Sequence, residues 1–324
     1  MKRTNIEWTD LSSNPLQYRT ADGKVAWACV KHSSGCANCY SEAIAERFER
    51  GKAFTRANME GLTPFLAEEE LWHILTAQKI GGKPVAGSKC FLGDMTDVFG
   101  DWVPDALLDQ LFAALAMRRD VTFQILTKRA DRMAEYFNTP NRRQIIAKQV
   151  MPLSNQLASA AGTHTKRLKL DDFEAAFLAP GPFRNIWLGT SCENQAAADE
   201  RIPHLLATPA AVRFLSCEPL LGEVDLEQWL PSGTKTFDTS GDLMPAVDWV
   251  IVGGESGPGA RPLNPSWVKD IVNQCRAASV ACFVKQLGAN VIDFAGAIKD
   301  TKGGDPSEWP EDLRVREFPK VGAA

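Results

Sequence analysis

Three cysteines crowd into eleven positions of this chain, Cys29, Cys36 and Cys39, with the spacing C-x6-C-x2-C. They sit on a loop containing Gly35, between an apolar run at Val25 to Ala28 and a helical pattern that opens with Ser41, Glu42, Ala43 and Ile44. Thiolates on such a loop can converge on one metal centre, and backbone N–H groups at a helix start stabilise negative sulfur. A 4Fe–4S cluster with every iron held by protein uses four thiolates. Three leave one iron open, where the amino and carboxylate groups of S-adenosylmethionine (SAM) can chelate. An electron passed from that cluster would split the S–C5′ bond and release a 5′-deoxyadenosyl radical, chemistry that belongs to the cofactor. His32 supplies a competing set, C-x2-H-x3-C-x2-C, which suits a structural Cys3His zinc site. Spacing alone leaves the iron–sulfur and zinc readings open, with thiols that bind nothing as a third.

A second set of chemical groups follows short apolar runs. Cys90 to Leu92 leads to Asp94, Val121 to Leu126 to Lys128, and Ile186 to Leu188 to Ser191, Cys192, Glu193 and Asn194. Val212 to Leu215 leads to Cys217 and Glu218, Trp249 to Val252 to Gly253, Gly254 and Glu255, and Cys282 to Val284 to Lys285. Val25 to Ala28, ending at Cys29, reads as the first member of the series. Helical patterns fill the gaps at Asp105 to Met117 (with Pro104 placed to start it), Ala130 to Phe137, Gln195 to Leu206 and Ser266 to Ala277. Alternating strands and helices predict an α/β fold with a parallel sheet, read here as a parallel (β/α) barrel or partial barrel. An open doubly wound sheet is the rival. Active sites of parallel barrels collect at the C-terminal strand ends, so residues 29, 94, 191, 218, 255 and 285 are expected to line one mouth. Taken singly, each polar residue also suits an ordinary turn. Asn194 equally suits a helix N-cap, Gly253 and Gly254 a tight turn, and Cys192 and Cys217 the core. Lys128, Glu218, Glu255, Arg261 and Lys285 read as holders of a polar substrate, with salt bridges among themselves as the plain alternative.

These units fill residues 1–288. Within them, residues 138–184 form a mainly helical insertion with seven Lys or Arg against three Asp or Glu. Its basic balance suits either a polyanion or a solvated helical excursion. Residues 289–324 form a C-terminal tail, expected to cap the barrel because Trp309, Leu313, Val315 and Phe318 give it something to bury. The net charge of −4 excludes a strongly basic nucleic-acid binder, though not a local basic patch. No apolar stretch follows MKRTNIEWTD and no long apolar run occurs anywhere, so a cytoplasmic protein with reduced cysteines and no membrane contact is expected.

Several motifs carry a resemblance. They are Ile6-Glu7-Trp8-Thr9, Ser34-Gly35-Cys36-Ala37-Asn38-Cys39-Tyr40 and Gly93-Asp94-Met95-Thr96-Asp97-Val98-Phe99, then Leu126-Thr127-Lys128-Arg129 and Gly189-Thr190-Ser191-Cys192-Glu193-Asn194. Glu218-Pro219-Leu220-Leu221-Gly222, Gly253-Gly254-Glu255-Ser256-Gly257, Arg261-Pro262 and Phe283-Val284-Lys285-Gln286-Leu287-Gly288 complete them. With these the chain resembles an uncharacterised phage and prophage protein family distantly related to radical SAM enzymes. The resemblance implies a barrel of radical SAM type, a 4Fe–4S cluster on Cys29, Cys36 and Cys39, and bound SAM. Asp94 would then take the SAM ammonium, Ser191, Glu193 and Asn194 the ribose hydroxyls, and Gly253 and Gly254 a close backbone approach to adenine or substrate. It also implies an electron donor such as flavodoxin or ferredoxin, and a nucleic acid or nucleotide as substrate. The chain departs from the usual C-x3-C-x2-C spacing, and Gly93-Asp94-Met95 stands where radical SAM enzymes carry a glycine-rich motif. The alternative function is a zinc-stabilised nucleic-acid-binding or accessory protein without catalysis. A metal-dependent hydrolase using Asp94 and Glu218 fits less well, because none of the four histidines follows a strand.

Overall fold

A computed structural model of the chain describes residues 1–160, 176–178, 181–231, 245–293 and 298–320. It is a mixed α/β fold with a mostly parallel sheet of eight strands. The chain divides into two compact units: Met1–Lys31, Cys39–Trp187 and Thr208–Ala211 form unit 1, and His32–Asn38, Leu188–Ala207 and Val212–Ala324 form unit 2.

Unit 1 begins with β1 (Lys2–Arg3), antiparallel to β2 (Leu11–Ser13). β2 pairs in parallel with β3 (Lys89–Leu92), and β3 with β4 (Thr122–Thr127). Its longer helices are α1 (Tyr40–Arg47), α2 (Glu68–Thr76), α3 (Asp105–Met117), α4 (Ala130–Asn138), α5 (Arg142–Lys148) and α6 (Val150–Ala160). The expected start of α3 holds, since Pro104 stands at its N-cap. The helix buries Phe112 among Phe99, Tyr136 and Phe137.

One expected strand falls elsewhere. Val25–Ala26 belongs to a separate antiparallel sheet with Leu16–Arg19 and Thr63–Leu66, so Cys29 does not follow a strand of the main sheet. The physical reason is partner choice: two extended residues satisfy their backbone groups wherever a free edge is offered. Here the edge comes from Leu16–Arg19.

In the expected insertion the described part up to residue 160 is helical, as α5 and α6. Residues 161–175 and 179–180 lie outside the described residues. Two of its basic side chains are engaged internally. Arg142 donates to Asp105 Oδ2 at 2.6 Å, Asp109 Oδ1 at 3.0 Å and the Tyr136 carbonyl at 3.0 Å. Arg143 donates to the carbonyls of Ala176, Phe177 and Gly181.

Unit 2 holds most of β5 (Ile186–Ser191, whose first two residues belong to unit 1), then β6 (Arg213–Cys217), β7 (Trp249–Gly253) and β8 (Ala281–Gln286), all parallel. Every residue of β5 and β7 is buried, the signature of a parallel sheet covered on both faces. α7 (Gln195–Leu206) is capped by the Asn194 side chain, and α8 (Pro265–Ala277) by Asn264 with Pro265 in its first turn. The tail lies along β8. Val284 N–H donates to the Val315 carbonyl at 2.8 Å and Glu317 N–H to the Cys282 carbonyl at 2.8 Å, which pairs an otherwise open edge. Of the tail's four apolar residues Trp309 and Leu313 are buried as expected, whereas Val315 is half-buried and Phe318 is exposed.

The Arg142 network yields a stability test. Arg142→Ala leaves Asp109, which is 5% exposed, with Tyr136 as its remaining hydrogen-bond partner. We expect a loss of about 3–5 kcal/mol, the cost of breaking a buried pair, measured by urea unfolding followed by circular dichroism. A loss below about 1 kcal/mol would show that the network contributes little.

Candidate functional site

All eight cysteines are free thiols. Cys90, Cys192, Cys217, Cys275 and Cys282 are buried, whereas Cys29, Cys36 and Cys39 are half-buried. Cys192 and Cys217 are thus core residues, the plainer of their two readings.

In unit 1, Cys29 and Cys39 both pack against the cluster of Ala45, Phe54 and Met95, beside Trp27 and Ile44. Cys39 stands at the N-cap of α1. The next two side chains fix that helix start: Tyr40 Oη and Ser41 Oγ both donate to the Asp94 carbonyl, at 3.1 Å and 2.6 Å. The Asp94 carboxylate accepts from Asn14 Nδ2 at 2.5 Å, and Asn14 Oδ1 accepts from Met95 N–H at 3.0 Å. Burial outweighs the Asn14 bond and raises the Asp94 carboxyl above the ordinary value. Such a group favours a cationic partner.

Cys29 is gripped on both sides. Trp102 Nε1 donates to Tyr18 Oη at 2.7 Å, Tyr18 lies 3.0 Å from Thr96 Oγ1, and Thr96 donates to the Ala28 carbonyl at 2.7 Å. On the other side Arg129 Nη2 donates to the Val30 carbonyl at 2.8 Å, while Nη1 pairs with Asp97 at 3.1 Å. Asp97 also accepts from Thr127 Oγ1 and from the N–H groups of Lys128 and Phe99. Burial, then the nearby Asp97 charge, pushes the Cys29 thiol up to about 12. Asp97, Arg129, Thr96 and Asn14 are site residues the sequence reading passed over. Three of them lie inside quoted motifs, but Asp94 and Lys128 stand nearer the strand ends and drew the assignment.

In unit 2, the stretch His32–Asn38 contains a single 3₁₀ turn, Ser34–Cys36. Cys36 Sγ accepts from His32 N–H at 3.5 Å, and His32 Nε2 lies 3.8 Å from Glu200 Oε1. Glu193, 1% exposed, accepts from Arg201 Nη1 at 2.9 Å and from Gly35 N–H at 3.3 Å. A Cβ at Gly35 would lie 3.0–3.2 Å from that carboxylate, so the closeness calls for glycine. Arg201 Nη1 also donates to the Ser191 carbonyl at 2.9 Å.

Glu255 accepts from the Arg261 N–H and Nε at 2.9 Å and 3.0 Å, from Arg261 Nη2 at 2.6 Å, and from Asn38 Nδ2 at 2.9 Å. Burial pushes its carboxyl up, but these donors together hold it below the ordinary value. Lys285 Nζ pairs with Glu218 Oε1 at 2.5 Å, joined by Gln286 Nε2 at 3.3 Å. So Glu255 with Arg261, and Glu218 with Lys285, form the salt bridges that stood as the plain alternative. Asn194 acts as an N-cap, its Oδ1 accepting from Ala197 N–H at 3.0 Å. Gly253 and Gly254 meet the backbone of β8 and its exit: a Cβ on Gly254 would come within 2.2 Å of the Leu287 carbonyl oxygen.

Among the described residues no group of three or more His, Cys, Asp or Glu side chains is placed to hold a metal ion. The donor chemistry of Cys29, Cys36 and Cys39 nevertheless suits a soft metal centre, being three free and half-buried sulfurs.

The Asp97 charge yields a reactivity test. Removing it lowers the Cys29 thiol's pKa and leaves the Arg129 cation uncompensated, and both changes favour thiolate. Asp97→Asn should therefore speed iodoacetamide labelling of Cys29 at about pH 8 by roughly threefold or more. Peptide mass spectrometry reads the rate site by site, and an unchanged rate would remove Asp97 from control of this thiol.

Among the described residues no helix is long and apolar enough to cross a membrane. No curated protein and no solved structure matches the chain. The model of one protein family, described as a protein of unknown function (DUF5131), matches residues 3–308. The chain belongs to the DUF5131 family.

Proposed function

We propose that this protein is a radical SAM-type enzyme in which Cys29, Cys36 and Cys39 hold a 4Fe–4S cluster with one iron free for SAM. The observation that carries the reading is the division among the cysteines. Five are sealed in the core, and the three at C-x6-C-x2-C spacing alone are half-buried. Free thiols left half-buried in one short stretch suit ligation better than packing. When bound, the cluster would supply the electron that cleaves SAM to a 5′-deoxyadenosyl radical.

The chain's own residues have the remaining tasks. Asp94 is a mostly buried carboxylate whose one side-chain hydrogen bond, from Asn14, leaves its charge under-compensated, and the ammonium of SAM would supply the cation. The Trp102-Tyr18-Thr96 chain and the Asp97–Arg129 pair fix the backbone on either side of Cys29. Lys128, Glu218 and Lys285 remain the candidates for contact with a polar substrate, for which a nucleic acid or nucleotide is the proposed class. Reduction would come from a flavodoxin or ferredoxin.

Anaerobic purification with iron and zinc analysis tests this. The protein should be brown, carry about four irons and give an EPR signal on reduction. Changing any of the three cysteines to Ala should abolish both colour and signal, and His32→Ala should preserve them. SAM should perturb the signal and yield 5′-deoxyadenosine. One bound zinc, lost in His32→Ala, with no response to SAM, would establish the zinc-stabilised accessory protein instead.

A further inference from the structure

We infer that Glu255 and Arg261 are positioning residues that latch the Cys36 loop, and not holders of substrate. The purpose of the latch rests on the reading of Cys36 as a cluster ligand; its geometry does not.

Hydrophobic burial does not hold the turn Ser34–Cys36, which contains no buried residue. Polar bonds hold it instead. Arg261 Nη1 donates to the Ser34 carbonyl at 2.7 Å. Asn38 Nδ2 donates to Glu255 Oε2 at 2.9 Å and to the Gly259 carbonyl at 3.2 Å. One arginine thus reaches the residue two before Cys36, and one carboxylate reaches the side chain two after it.

Acceptor capacity argues against a substrate role for Glu255. An ionised carboxylate offers about four lone-pair sites. Arg261 N–H and Nε and Asn38 Nδ2 already converge on Oε2, and Arg261 Nη2 takes Oε1, so Oε2 is filled and a single site on Oε1 is left. Arg261 is similarly committed, with one edge of its guanidinium on the carboxylate and the far nitrogen on the loop. A lysine cannot bridge the two, because its single ammonium lacks the fork.

The test labels Cys36 with iodoacetamide in the full chain after iron removal, read by peptide mass spectrometry, with Cys29 as internal reference. Arg261→Ala and Arg261→Lys should both speed Cys36 labelling by about tenfold relative to Cys29. Asn38→Ala should speed it by about threefold. Failure of Arg261→Lys to match Arg261→Ala would reduce the role to bare charge and overturn the latch. Wild-type rates in Arg261→Lys and Asn38→Ala overturn it as well. Should Arg261→Ala not fold, Asn38→Ala decides alone, since Asn38 is exposed. Iron content and EPR of the same proteins before iron removal keep the two readings apart. Faster labelling in a protein that never holds iron leaves the latch standing and removes the cluster. A normal cluster with unchanged labelling does the reverse.

Discussion

A carboxylate taken out of water must be met by a cation and by N–H donors, or it protonates. Around the cysteine-bearing segments that demand is met at Asp97, Glu193 and Glu255 by an arginine that also reaches a backbone carbonyl, while Asp94 has only Asn14 and its carboxyl is raised instead. In unit 1, Arg129 neutralises Asp97 and gives its second nitrogen to the Val30 carbonyl. In unit 2, Arg201 neutralises Glu193 and reaches the Ser191 carbonyl. Arg261 neutralises Glu255 and reaches the Ser34 carbonyl. For Arg129 and Arg261 the fork of the guanidinium makes this double duty possible, and for Arg201 the two hydrogens of Nη1 do. Each pair therefore does two things: it keeps a buried charge in protein, and it ties down backbone, a loop for Arg129 and Arg261 and the end of β5 for Arg201.

Contacts such as Arg129 with Val30 and Arg261 with Ser34 join residues far apart in the chain, so the strands were legible in the sequence while these partners of the charged groups were not. Seven apolar runs were legible, and six became strands of the main sheet, because parallel strands buried on both faces must be continuously apolar. The boundaries of α3 and α7 were legible because Pro104 and Asn194 mark their starts chemically. Strands β1 and β2 were not, since two or three residues give no periodicity to read. Val25–Ala26 was extended as expected but joined another sheet, a choice made by distant Leu16–Arg19.

The partners of the polar residues were not legible, for a different reason. Sequence order ranks the first charged group after a strand, which favours Asp94 over Asp97 and Lys128 over Arg129. The fold instead selects by the path of the loop. Asp97 collects Thr127 Oγ1, Lys128 N–H and Arg129 together because the turn after β4 closes on it. Neither period nor propensity encodes that closure. Glycines were equally ambiguous. Gly253-Gly254 reads as a ligand-binding turn, yet a Cβ on Gly254 would meet the Leu287 carbonyl at 2.2 Å and one on Gly253 the Gln286 carbonyl at 3.0 Å, so close packing also asks for glycine there.

The two kinds of anchoring have different mechanical consequences. Cys29 stands beside a buried ion pair and the mostly buried Tyr18–Thr96 bond, and it shares an apolar cluster with Cys39. Opening that region exposes charge and apolar surface together, so it should be among the last to open. The turn carrying Cys36 exposes Ser34, Ala37 and Asn38 and buries nothing. Its latch consists of hydrogen bonds that water can replace, each contributing about 1 kcal/mol net, or somewhat more where a charge takes part. Local opening there costs little compared with unfolding. If the proposed cluster is bound, Cys36 on its lightly held turn would be the ligand free to yield as the cluster is seated, and Cys29 the one that stays fixed.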